Sequence, residues 1–160
     1  MFSLCQWLDQ TYVGSAIRQS LWLFPAIETV HLLGMALLVV TVIAFDLRLL
    51  GLMFLRARVS DLKRTLLPWS WAGFGIQVVT GFLLFSSEAV KVYANPAFRL
   101  KMLLILLAGI QVLLFQQIGL RKLPDWDSSP STPNSAKLAG CISLLLWLGI
   151  VAAGRFIGFV

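Results

Sequence analysis

The single histidine of this 160-residue chain, His31, stands three residues after Glu28 and four before Met35 in a long apolar run. On a helix, separations of three and four bring side chains onto one face. That stripe therefore offers a carboxylate, an imidazole and a thioether where a membrane-spanning segment is expected to hold only apolar groups. Ionisable residues in such segments are costly to insert and mark function by default. An imidazole there can ligate haem iron or another metal, or serve as a core residue hydrogen-bonded to Glu28 or a backbone carbonyl. Glu28 can accept from one ring nitrogen and so aim the other at a metal. Arg99 and Lys101 open a later apolar run. Both can pair with the acids or neutralise an anionic ligand. Met35 and Met102 are soft donors of the kind that suits Cu(I), although methionines in apolar helices ordinarily fill space.

These groups have to be positioned by an unusually apolar chain. Apolar side chains make up 59% of it, charged residues only 12%, and mean hydropathy is +0.87. Soluble domains carry about twice that charged fraction, so the composition is that of an integral membrane protein. The formal charge of +6 does not signal a nucleic-acid partner, because the basic residues fall in short clusters between apolar runs. Cys5 and Cys141 have no metal-ligand spacing and no further partners for a disulfide framework. Gly-rich phosphate loops, nucleophile elbows and paired cysteines are missing, which removes soluble-type hydrolase chemistry.

Periodicity predicts an all-α integral membrane fold in one domain: a four-transmembrane-helix bundle with an N-terminal interfacial helix. The interfacial helix covers about 3–19, where apolar and polar residues alternate at helical spacing. Spans are expected at about 24–54, 68–86, 97–119 and 138–159. Trp22 and Pro25 suit the start of the first span, which exceeds the roughly 30 Å hydrocarbon thickness and must tilt or protrude. Pro68, Trp69 and Trp71 open the second, after a polar connection over 59–67, and 121–137 is a polar loop. Asp46 and Arg48, two apart near the far end of the first span, are expected to point to different sides and to pair with other elements or headgroups. Gly154 and Gly158 form a weak small-xxx-small spacing.

Arg56, Arg58, Lys63, Arg64, Arg121, Lys122 and Lys137 lie in the connections after spans one and three, which places those connections in the cytoplasm and both termini outside. Glu28, His31, Glu88, Arg99, Lys101 and Arg155 then share the outer end of the bundle. An ion-pair network fastening the helices is the plainest role for such a cluster.

The sequences FPAIETVHLLG (24–34), DLRLLGL (46–52) and NPAFRLKM (95–102) resemble a family of uncharacterised four-span bacterial membrane proteins. More distantly, HLLG at 31–34 and RLKML at 99–103 resemble the CopD copper-resistance membrane domains and the HemJ-type protoporphyrinogen oxidases. The latter resemblance implies that His31 ligates haem with Lys101 as its partner. HemJ-type proteins carry another histidine after the lysine, whereas Gln111, Gln116 and Gln117 stand in that part of the span here. Haem held between two histidines of one chain is thereby excluded.

The leading expectation is a small haem-b-binding membrane redox or haem-handling protein of the bacterial inner membrane. Its outer pocket would be built on Glu28, His31, Arg99 and Lys101, with the cations on the propionates. CopD-like copper binding or transport through His31, Met35 and Met102 is the alternative, and a cofactor-free scaffold or accessory subunit the third. Lipid, further copies of the chain or a larger membrane complex are the expected partners. The residues assign no catalytic group.

Overall fold

Helices account for all the regular structure in a computed structural model that describes residues 2–119, 127 and 132–159. Arg121 and Lys122, counted above for orientation, lie outside the described residues. The chain runs through α1 (Phe2–Asp9), α2 (Tyr12–Gln19), α3 (Leu23–Leu50), α4 (Val59–Ser87), α5 (Ala89–Ala94), α6 (Pro96–Leu114) with a π-turn at Phe115–Gly119, and α7 (Asn134–Phe156). Helices α3, α4, α6 and α7 are each long and apolar enough to cross a bilayer. Leu33, Val79, Leu106 and Leu145 are among the apolar side chains they leave exposed. In water that surface would be unstable; against acyl chains it is the normal outer face of a multi-pass membrane protein.

The element ends follow local chemistry. The N-terminal region is two helices rather than one, because Thr11 interrupts it and accepts a hydrogen bond from the Gly14 amide as a helix cap. Neither helix lies free. Arg18 bonds Asp9 at 2.8 Å and the Ser87 carbonyl at 3.0 Å, tying α2 to the end of α4. Helix α3 stops at Gly51 rather than near 54, because Gly51 adopts a left-handed conformation (φ 75°) and its N–H turns back to Leu47 and Arg48. Asn95 caps α6 by accepting from the Ala97 and Phe98 amides, with Pro96 in the first turn.

Helix α4 begins at Val59 and carries Pro68 inside it, where a proline-opened span beginning at 68 was expected. Asp127 accounts for the difference. Its carboxylate accepts from the Ser60 amide and hydroxyl, each at 2.7 Å, and its carbonyl accepts from the Val59 amide at 3.3 Å. Those are first-turn amides that a helix cannot satisfy internally, so the cap comes from the connection before α7.

Packing orders the four spans α4, α3, α7, α6. Helix α3 contacts α4 and α7, and α7 contacts α6, while α4 and α6 pack little against each other and meet at the outer end, where Phe85 stacks on Phe98 at 5.3 Å between ring centroids. The α3–α4 approach is very close: a Cβ on Gly73 would meet the Leu38 nitrogen at 2.9 Å and the Gly34 carbonyl at 3.0 Å. Small residues at a crossing admit such an approach, which matters where lipid provides no hydrophobic force between helices. At the far end of α3, Arg48 is fully buried, donating to the Ala57 carbonyl at 3.0 Å and reaching Thr132 Oγ1 at 3.4 Å. It fastens the turn after α3 to the start of α7. The bundle is thus closed on three sides and open between α4 and α6.

Candidate functional site

At the end of the bundle where α3 begins, His31 turns its ring onto α4. Nδ1 lies 2.7 Å from Thr80 Oγ1, and Cε1 lies against Gly81. The Thr80 hydroxyl donates its only proton to the Ile76 carbonyl at 2.5 Å, so towards His31 its oxygen can only accept. In the neutral ring the proton is therefore on Nδ1, and Nε2 keeps its lone pair. Gln77 donates to the backbone carbonyl of His31, fixing the same turn of α3. Lys101 on α6 is half-buried and within electrostatic reach of the ring.

The other expected partners go elsewhere. Glu28 is exposed and makes no hydrogen bond or ion pair among the described residues, so helical spacing does not bring it to His31. Glu28 lies on an exposed part of α3, whereas His31, about one turn further in, lies against Thr80 and Gly81 of α4. Arg99 is exposed, donates to the Tyr93 carbonyl at 3.1 Å and stacks its guanidinium over the Tyr93 ring. Glu88 is paired with Lys91 at 3.4 Å, and Arg155 lies over Phe159. The six polar groups share one end of the bundle, but the cross-helix network expected between α3 and α6 does not form.

Room also decides what His31 can hold. Met35, Gln77 and Lys101 line a cavity of about 50 Å³ just inside the histidine. Pockets for small organic ligands begin at roughly 300 Å³, so this cavity is too small for a macrocycle, and His31 lines neither it nor the larger cavity. The donor set fits haem in one respect, a free imidazole nitrogen, and fails in volume. A copper set is not assembled either. Met35 faces the small cavity together with the Lys101 ammonium, while Met102 is 50% exposed on the outer surface. Among the described residues no three His, Cys, Asp or Glu side chains gather as metal ligands.

The larger space is elsewhere. A cavity of about 400 Å³ occupies the gap between α4 and α6, floored by α3 and α7. Its walls are apolar and strongly aromatic, with Phe45, Trp71, Phe74, Phe115 and Trp147 among them. Leu38, Phe74, Ile105 and Trp147 also line the small cavity, so the two spaces are neighbours along one cleft. Asp46 lines this cleft at 3% exposure, and Ser143 of α7 lines it as well. Asp46 Oδ2, together with Gln111 Oε1 and Trp147 Nε1, is a buried polar atom without a hydrogen-bond partner. All three residues line the cavity. Thr41, Ser70 and Lys63 add further polar groups towards the Arg48 end, with Ser70 donating to Thr41 at 2.9 Å.

Reading the sequence named Asp46 and Gln111 without placing either at a site, and missed Trp147. One signal was available, since an acid within an apolar run is a functional candidate on the same grounds as His31. Likewise Gln77 and Thr80, three apart on the second span, mark the face that receives the histidine.

Residues 4–160 match the model of a family described as a family of unknown function, DUF6644. No curated protein and no solved structure matches the chain.

Proposed function

The chain belongs to the DUF6644 family of unknown function, and from that premise we propose that it is a membrane-embedded binding protein, taking a lipid-soluble small molecule from the bilayer into the cleft between α4 and α6. The observation that carries this reading is the roughly 400 Å³ apolar, aromatic-walled cavity between the two helices. Its volume falls in the range of small-molecule sites. Because α4 and α6 stand apart along the cleft, below the Phe85–Phe98 contact, entry is lateral, from the acyl chains rather than from water. Apolar walls alone would give little affinity, since a ligand leaving lipid gains almost nothing from burying apolar surface. Selective binding must come from fitted contacts with the aromatic walls.

A photoactivatable alkylphenyl diazirine, applied to the protein in lipid nanodiscs and mapped by mass spectrometry, tests this. Labelling should concentrate on cleft residues such as Phe74 and Ile105 over outward-facing Leu106 and Leu145. Val112→Trp, at a cavity-lining position already 40% exposed, should fill the space and suppress that labelling. Uniform labelling of all lipid-facing residues, unchanged by Val112→Trp, would refute the reading.

A second reading keeps His31 as a ligand of haem b, with copper as its variant, and is favoured by the free Nε2. One chain does not enclose the volume, so this reading requires haem at the outer face, shared with another copy or a larger complex. Visible spectroscopy and metal analysis of purified protein decide it. A Soret band lost in His31→Ala supports haem, and stoichiometric copper lost in the same variant supports the CopD-like version. The bacterial inner membrane, with both termini outside, belongs to the same set of proposals. It is supported by Arg56, Arg58, Lys63, Arg64 and Lys137 all falling at the Arg48 end of the bundle.

A further inference from the structure

One stripe of α4 borders the large cleft along its length. Lys63, Leu66, Leu67, Ser70, Trp71 and Phe74 all line it, and their separations of three and four residues place them on a single helical face. At 1.5 Å per residue the stripe extends about 16 Å. Phe74 also lines the small cavity just inside the histidine, whereas Lys63 stands at the opposite end, about one turn into the helix that starts at Val59. The cleft therefore has a direction, apolar and aromatic along its length with a cation at one end.

Lys63 is the only lysine or arginine among the described residues that line the cleft. It is half-buried and makes no hydrogen bond or ion pair among the described residues. The acids at that end are otherwise placed: Asp127 is held by Ser60, Asp46 is buried, and Asp61 is exposed without pairing to Lys63. Arg64, next in the chain, and Arg56 in the turn before α4 are exposed cations, likewise in no ion pair among the described residues. A long cationic side chain lays its stem along apolar surface and keeps its charge at the polar boundary.

Resting on the reading of the cleft as a ligand site, we propose that its occupant is an acidic amphiphile, with an acyl chain along the α4 stripe and a carboxylate or phosphate head on the Lys63 ammonium. The walls choose among shapes, and Lys63 adds a choice of charge through a charge-assisted hydrogen bond. The acyl chain enters sideways between α4 and α6, so the head is never drawn into hydrocarbon, where a charge is costly. Free fatty acids and anionic phospholipids share this chemistry.

Competition against the diazirine probe in phosphatidylcholine nanodiscs tests this. The competitors are oleate, oleyl alcohol, oleylamine and phosphatidylglycerol, compared by mole fraction in the bilayer, in mildly alkaline buffer that keeps the fatty acid ionised. Oleate should suppress labelling of Phe74 and Ile105 at mole fractions about tenfold below oleyl alcohol, the factor that one charge-assisted hydrogen bond provides. Oleylamine should be the weakest. In Lys63→Gln oleate and oleyl alcohol should draw level, while Lys63→Arg should keep the preference, with near-UV circular dichroism confirming the fold of both. Competition by phosphatidylglycerol identifies the membrane's own anionic lipid as the source, and competition by oleate alone identifies the free acid; either supports the proposal. Equal competition by all four in the unmodified protein overturns the charge assignment and leaves the cleft a ligand site. A preference for the acid that survives Lys63→Gln overturns it as well. If the probe does not label the cleft at all, the site itself is refuted.

Discussion

Thr80 holds His31 through an oxygen whose own proton is committed to the Ile76 carbonyl, which sets the tautomer of the only imidazole in the chain. With a single histidine, ¹⁵N NMR of the ring gives an unambiguous reading. The neutral ring should show a protonated Nδ1 and an unprotonated Nε2. In Thr80→Val the acceptor is lost, so the Nδ1 preference should weaken and stability should fall by about 1 kcal/mol, the usual worth of such a bond. An Nε2–H signal in the unmodified protein would contradict the geometry.

Glu28 and Lys101 do not touch, and their substitutions should be independent. Glu28→Gln is expected to change stability by no more than about 0.5 kcal/mol, as at an exposed site without partners. Lys101→Met should not destabilise, since it removes an ammonium that pairs with no acid among the described residues. Thermal unfolding in detergent should give additive effects within about 0.5 kcal/mol for the pair. Strong coupling would mean that the two groups meet.

Arg48 should be the most sensitive charged position of the chain. It is 0% exposed and answers the Ala57 carbonyl, so Arg48→Met leaves buried acceptors without a donor. A loss of about 1–3 kcal/mol follows. Thermal unfolding should show it, together with faster hydrogen exchange in the turn after α3, and Arg48→Lys should recover only part because an ammonium lacks the guanidinium's reach and geometry.

The first turn of α4 should loosen in acid. The Ser60 hydroxyl and amide hold the Asp127 carboxyl below the usual carboxylate range, with the Arg58 charge adding to the effect. A carboxylate whose pKa is depressed on folding contributes stability above its unfolded value and loses that contribution as pH falls through the lower folded value. Amide exchange at Val59 and Ser60 should therefore be insensitive to this group near neutrality and accelerate, beyond the intrinsic pH trend, as the pH drops below the ordinary carboxylate range. Asp127→Asn should show the loosened behaviour at neutral pH.

Gly73 should tolerate no larger residue. A side chain there meets the backbone of α3, which cannot move aside cheaply, so Gly73→Val should destabilise by about 1–3 kcal/mol or separate α3 from α4. Thermal unfolding in detergent measures the loss.

The four spans are legible in the sequence because each contains a long apolar window, and the importance of His31 is legible because an imidazole is conspicuous there. The start of α4 is not, since its cap comes from Asp127, far along the chain and beyond any local rule for helix ends. The direction of Glu28 is not legible either: helical spacing gives its face on α3, but only the packing shows that it lies on an exposed part of that helix. Asp46 illustrates the same limit. Its presence in an apolar run can be read directly, whereas the cleft it lines depends on two helices standing apart beyond the Phe85–Phe98 contact, and no pattern within either helix reports that.

The open seam between α4 and α6 has a consequence for any measurement on this protein. Where a closed bundle owns all the walls of its cavity, here one wall is supplied by whatever fluid surrounds the chain. On the proposed reading of the cleft, bilayer composition is then part of the binding site. Long ordered acyl chains, short disordered ones and a detergent micelle present different fourth walls, and the same polypeptide should rank the same ligands differently in each.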